Sequence, residues 1–201
     1  MASPLDLVLR PDGTPNLTVI IPVLVGVFVI GGALFAVIRS RFAPPEPIPA
    51  RDWAHAAYSI WTGGEDCGQW DAARARQSLE SWYGVTDPRG FWDTIHGLEE
   101  GQTGSLAWDR VRALDLLRIG TAAGYVREDE CWRAVGSIAE VLRQRFASWP
   151  ALASEFEAGM HRWQDGRGVT DPQARGRVQR NLPYLKQTAW PRAAFGAPLE
   201  T

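Results

Sequence analysis

The chain has little of what most catalytic centres are built from. It holds three histidines and two cysteines in 201 residues. His55, His96 and His161 fall on different expected helices, and neither His-x-x-x-His nor Cys-x-x-Cys occurs. Metal sites need His, Cys or carboxylates clustered at ligand spacing, so no metal centre is expected. There is no Gly-x-Ser-x-Gly turn, the strained setting of many nucleophilic serines. Neither Cys67 nor Cys131 has a recognisable base beside it in sequence, and two cysteines make no disulfide framework. They suit a reducing compartment, and a single bridge between them is the alternative. Gly63-Gly64 is followed by two acids, and no Gly-Lys-Ser/Thr occurs. That is the wrong charge for cradling phosphate, so these read as turn glycines and no cofactor is expected. A formal net charge of −2 provides no concentrated basic face, which argues against a nucleic-acid partner.

What the chain does have begins with one long apolar run. Leu17 to Ile38 is 22 residues without a charged side chain; roughly 20 suffice to cross a hydrocarbon core of about 30 Å. A cleavable signal would show a basic leader and an apolar stretch of only about 7–15 residues. Here the leader sets a single Arg10 against Asp6 and Asp12. An uncleaved membrane helix is therefore expected, with the bilayer as a partner. Arg39, Arg41 and Arg51 follow the span and only Arg10 precedes it. By the positive-inside rule the N-terminus lies outside and the rest in the cytoplasm. Gly32 and Ala36 form a small-xxx-small pair, the spacing at which membrane helices self-associate, so a homo-oligomer stays open beside plain lipid contact. Ala43 to Pro49 is proline-rich and reads as a stiff spacer.

All ten tryptophans come after residue 50. Each brings a large apolar surface and an N–H that wants a partner, so a well-packed domain is expected there. Asp52 reads as the cap of a helix Trp53–Thr62 ending at Gly63-Gly64, and Asp71 as the cap of Ala72–Tyr83, closed by Gly84. Asp87-Pro88 opens a third helix that runs to Gly101. A central helix follows, capped by Ser105 and stopped by Gly124, then Glu128–Phe146, then one from Ser148 to about Trp163. The basic stretch Arg175–Arg180 suggests a short helix broken at Pro183, with an irregular tail beyond Trp190-Pro191. Gly-Val-Thr-Asp-Pro occurs at 84–88 and again at 168–172; the sequences that follow differ, so it marks a recurring helix start. Helical periodicity runs throughout and strand alternation nowhere. The fold class is all-α, a transmembrane helix plus a compact multi-helix domain. The expected organisation is a short N-terminus (1–16), membrane helix (17–38), spacer (39–50), helical domain (51–165), and C-terminal helix with irregular tail (166–201).

The most distinctive stretch is 107–125. Ala107, Val111, Leu114 and Leu117 recur at helical spacing. Asp109, Arg112, Asp115 and Arg118 alternate in sign at steps of three, which is within side-chain reach on a helix. They are expected to form a paired, half-buried network, structural or ligand-binding. Trp53, Trp61, Trp82, Trp92 and Trp108 are expected mostly in the core; any exposed tryptophan would be a binding anchor.

Several of these residues carry a resemblance. Tyr58-Ser-Ile-Trp61 with Gly63-Gly64, Trp82-Tyr-Gly-Val-Thr-Asp87 with Leu98-Glu-Glu-Gly101, and Ala107-Trp-Asp109 with Arg112, Arg118, Gly120 and Ala123-Gly-Tyr125 are similar to a bacterial helical family catalogued as a domain of unknown function, number 1266. Trp149, Gly159 and Trp163 fit its closing segment, and the likeness spans about residues 53–165. Trp61, Gly63, Gly64, Trp108, Gly124 and Tyr125 are the motif residues. The family pattern often has His after the glycine that matches Gly101; here Gln102 stands there. The resemblance implies a helical fold and no defined activity. The first functional expectation is a protein-interaction module on the inner membrane of a bacterium, with its helical domain in the cytoplasm. The alternatives are an enzyme using an Asp/Arg pocket, and an immunity or regulatory protein acting near the membrane. A solvent-filled pocket at Asp109, Arg112 and Asp115 would favour the enzyme; a dry, mutually satisfied ion-pair set would count against it.

Overall fold

The computed structural model describes residues 46–169 and 171–200. The Leu17–Ile38 run lies outside these residues. Among the described residues no helix is long and apolar enough to cross a membrane.

The domain is helical. After a two-residue strand β1 (Ile48–Pro49) come α1 (Ala50–Thr62), a 3-10 turn (Cys67–Gln69), α2 (Ala72–Tyr83), α3 (Pro88–Glu99), α4 (Leu106–Ala123), α5 (Glu128–Arg145) and α6 (Trp149–Gly166). Helix α7 (Arg177–Tyr184) runs on through a π turn (Leu185–Ala189) into Trp190–Arg192, and β2 (Leu199–Glu200) pairs in parallel with β1. The expected caps at Asp71, Asp87, Ser105 and Ser148 all accept backbone N–H bonds. Asp52 does not: α1 starts earlier, after Pro49, and Asp52 lies inside its first turn. Pro183 does not break α7 either. It sits in the second turn, and the wider π turn follows it, which is how a helix takes up freed carbonyls.

Helix α4 is the hub, packed against α1, α2, α3, α5, α6 and the 3-10 turn. Its burial continues around the whole helix and takes in Asp109 and Asp115. An apolar side with a solvated ladder describes a surface helix; this one is a core helix. Two close approaches make that possible. A Cβ on Gly120 would stand 2.4 Å from the Phe91 ring, and one on Gly159 1.9 Å from Ser105 Oγ. α3 and α6 therefore reach α4 at distances that only glycine allows.

The Gly63-Gly64 pair does more than turn the chain. Both have positive φ, and a Cβ on Gly64 would fall 2.5 Å from the Tyr184 ring. Asn181 donates through Nδ2 to the carbonyls of Ile60 and Trp61, both at 3.1 Å. The C-terminal helix is thus seated on the exposed carbonyls at the end of α1. Val178, Leu185, Ala189 and Trp190 are buried there, so this segment is part of the core.

Candidate functional site

Asp109, Arg112, Asp115 and Arg118, the four charged residues of the expected ladder on α4, do not pair with one another. Every salt bridge found among the described residues leads elsewhere. Asp109 is fully buried and accepts the backbone N–H of Thr103 at 3.1 Å and its hydroxyl at 2.7 Å. It ties the loop before α4 to the helix it precedes. Arg118 reaches Glu128 at 3.6 Å and Asp66 at 4.0 Å, and lies over the Trp132 ring at 4.6 Å. It passes through space that Gly68 leaves open, since a Cβ there would meet its Nη2 at 2.2 Å. The ladder fails for the reason that makes α4 central. A helix surrounded on all sides offers each charge a nearer partner on a neighbouring element.

Asp115 is buried and its Oδ1 makes no hydrogen bond among the described residues. Burial pushes its carboxyl from 3.8 up to about 7, against the opposing pull of the Cys67 thiol. Folding therefore favours the protonated acid. That contribution to stability is complete below about pH 4 and is lost as pH rises through about 7. We expect the melting temperature of the wild type to fall between pH 5 and pH 8 relative to that of Asp115→Asn. Parallel pH profiles for the two proteins would show that Asp115 does not titrate in this way. Cys67 and Cys131 are free and buried. Burial raises both thiols, which keeps them poor nucleophiles.

Arg112 is different. It takes part in no salt bridge found among the described residues and stands among aromatic rings instead. Its guanidinium carbon is 5.0 Å from the Trp108 ring centroid, 5.2 Å from Tyr83 and 5.9 Å from Trp163. Three rings at cation–π distance hold the planar group in one orientation. It lines an open cleft of about 670 Å³ with Trp82, Tyr83, Asp93, Gln102, Arg162, Trp163 and Arg167. Arg162 pairs with Glu155 at 2.5 Å; Arg167 lies over Trp163 at 5.2 Å. The cleft is cationic and aromatic, and Asp93 is its one carboxylate among the described lining residues.

The sequence brings only Arg112 of its four charged candidates to this cleft. Of the motif residues, Trp108 is buried behind Arg112, and Trp61 packs edge-on against Trp108 with ring centroids 5.8 Å apart. Gly124 ends α4 in the left-handed conformation, and the Tyr125 hydroxyl donates to the Thr86 carbonyl at 2.8 Å. These contacts lie within the fold, and through Trp108 they reach a lining residue of the cleft, Arg112. Trp82, expected in the core, is 62% exposed at the cleft. It falls in the last turn of α2 and meets the Trp70 ring edge-on, with centroids 6.2 Å apart. Arg162 and Arg167, at the end of α6, carry no local signal of their own. Gln102, the position where the family pattern often has His, also lines the cleft.

Residues 99–191 match the model of a family described as protein of unknown function (DUF1266). The resemblance read from the sequence is thus shown over a span that starts later than 53 and runs on past 165, taking in α4, α5, α6 and α7. No curated protein and no solved structure matches the chain.

Proposed function

We propose that the chain is a membrane-anchored protein-interaction module, held at the bilayer by Leu17–Ile38 with its helical domain in the cytoplasm, and that an acidic segment of its partner sits in the Arg112 cleft. The observation that carries this reading is an arginine fixed by three aromatic rings, in no salt bridge found among the described residues, in an open cleft. Aromatic and arginine side chains are the usual anchors of protein interfaces, and exposed Trp82 supplies one at the rim. An unpaired guanidinium gains most from an incoming carboxylate, because no internal ion pair has to be broken. The acids that an Asp/Arg enzyme would use are elsewhere: Asp109 is committed to Thr103, and Asp115 is buried beside Cys67. Binding therefore fits this cleft better than catalysis.

The test is affinity purification of the full-length protein from its own membranes, with Trp82→Ala and Arg167→Gln variants run in parallel. A near-stoichiometric partner with an acidic segment should survive detergent. It should drop at least fivefold with either variant, and a competing Glu-rich peptide should displace it. Retention of the same partners by both variants would place the interface away from this cleft. Recovery of the wild type in the soluble fraction would remove the anchor from the proposal.

A further inference from the structure

Taking the Arg112 cleft as the partner's seat, a reading this inference rests on, we propose that the acidic group it receives is a phosphoryl group on an aromatic side chain, a phosphotyrosine of the partner.

Charge is the first argument. Arg162 is held by Glu155, which leaves Arg112 and Arg167 as lining cations with no salt bridge found among the described residues, facing Asp93. A carboxylate brings one negative charge, whereas a phosphate monoester brings about −1.5 to −2 at neutral pH and three strong acceptor oxygens. Arg112 and Arg167 both stand near the Trp163 ring, 5.9 and 5.2 Å from its centroid, and a phosphate with three acceptor oxygens can engage more than one guanidinium fork where a carboxylate is filled by one.

The walls are the second argument. Trp82, Tyr83 and Trp163 line the cleft, and no aliphatic hydrophobic side chain does among the described residues. A flat ring of the partner can stack on these rings or meet them edge-on, a geometry that adds to the apolar contact any side chain would make there. The neighbouring hydroxyls point the same way. Thr94 Oγ1 donates to the Gly90 carbonyl at 2.8 Å and Thr103 Oγ1 to Asp109 at 2.7 Å. With both hydroxyl protons engaged, the donors left are the guanidinium groups, the Gln102 amide, the Trp82 and Trp163 indole N–H groups and the Tyr83 hydroxyl. Arg112 is already oriented by its three rings, so little ordering is lost when an anion docks. A dianionic ester on a ring therefore satisfies both features of the lining.

The experiment uses the full chain in detergent and fluorescein-labelled Gly-Ser-X-Ser-Gly peptides, with X as phosphotyrosine, tyrosine, phosphoserine or glutamate, read by fluorescence anisotropy. The phosphotyrosine peptide should bind at least tenfold tighter than the glutamate and phosphoserine peptides, and the tyrosine peptide should not bind. Arg112→Lys keeps the charge and loses the fork, and it should weaken the phosphotyrosine peptide more than fivefold. Arg167→Gln, at an exposed position, should do the same and guards against a folding defect at Arg112. Equal affinity for the glutamate and phosphotyrosine peptides would overturn the phosphoryl assignment and leave the acidic-partner reading standing. Equal affinity for phosphoserine would overturn the aromatic part. Displacement of the peptide by inorganic phosphate at micromolar concentration, as effective as by phenyl phosphate, would assign the site to a small phosphate ligand and overturn a protein-borne aromatic one. No binding of any charged peptide would take down both readings.

Discussion

Replacement of Trp149 by alanine is expected to lower the free energy of unfolding by about 3–5 kcal/mol, the usual cost of removing a fully packed aromatic side chain. Trp149 is only 4% exposed and lies at the start of α6. Its ring stands 4.9 Å from Trp53, 4.9 Å from Phe195 and 6.3 Å from Trp190, the last nearly parallel at 6°. Its Nε1 donates to the Ala193 carbonyl at 2.6 Å. The single side chain therefore joins α1, α6 and the segment after α7. Alanine would leave a cavity and an unpaired buried carbonyl, two separate penalties. Trp149→Phe should recover part of the loss, because a ring fills much of the space without restoring the hydrogen bond. Urea unfolding reads the effect. An unchanged midpoint in Trp149→Ala would show that the C-terminal segment is not held by this cluster.

Asp109→Ala is expected to cost about 3–4 kcal/mol. Its carboxylate accepts two bonds from Thr103 inside the fold, and hydrogen bonds to a charged group contribute about 1.5–3 kcal/mol each. The acid also sits in the first turn of α4, where the helix dipole favours negative charge. The loss should spread to the cleft, since Thr103 and Gln102 both line it. Asp109→Asn keeps acceptor capacity and should lose less. A variant that keeps its stability while losing partner binding would mean that Asp109 acts through the cleft alone.

The helices were legible because their signals are local. Caps at Asp71, Asp87, Ser105 and Ser148 and glycine stops at Gly63, Gly84 and Gly124 depend on a few neighbouring residues, and all appear in the fold. The central place of the 107–125 stretch was legible too, from its density of apolar groups. The pairing of its charges was not, because pair choice is set by which helices come alongside. Arg118 finds Glu128 and Asp66, partners that spacing within α4 cannot reveal. The same limit hid the cleft. Trp82, Gln102, Arg112 and Arg167 lie on four segments that meet only in the folded chain. Helix α7 extended past Pro183 for a further non-local reason: Asn181, Tyr184 and Trp190 are held by contacts with distant elements.

The short pairing of β1 with β2 makes the helical domain nearly a ring. Ile48 donates its N–H to the Pro198 carbonyl at 2.9 Å, and Ile48 lies opposite Leu199. Trp53, five residues on, donates to the Phe195 carbonyl at 3.0 Å. Two points some 150 residues apart along the backbone are thus neighbours in space, the geometry that circular permutation exploits. A short linker from Glu200 back to Glu46 would close the loop, and new ends could be opened at the exposed turn between Gly166 and Val169. Such a permutant would carry its chain ends beside the cleft instead of beside the spacer, which makes a reporter fused there a direct sensor of what the cleft holds.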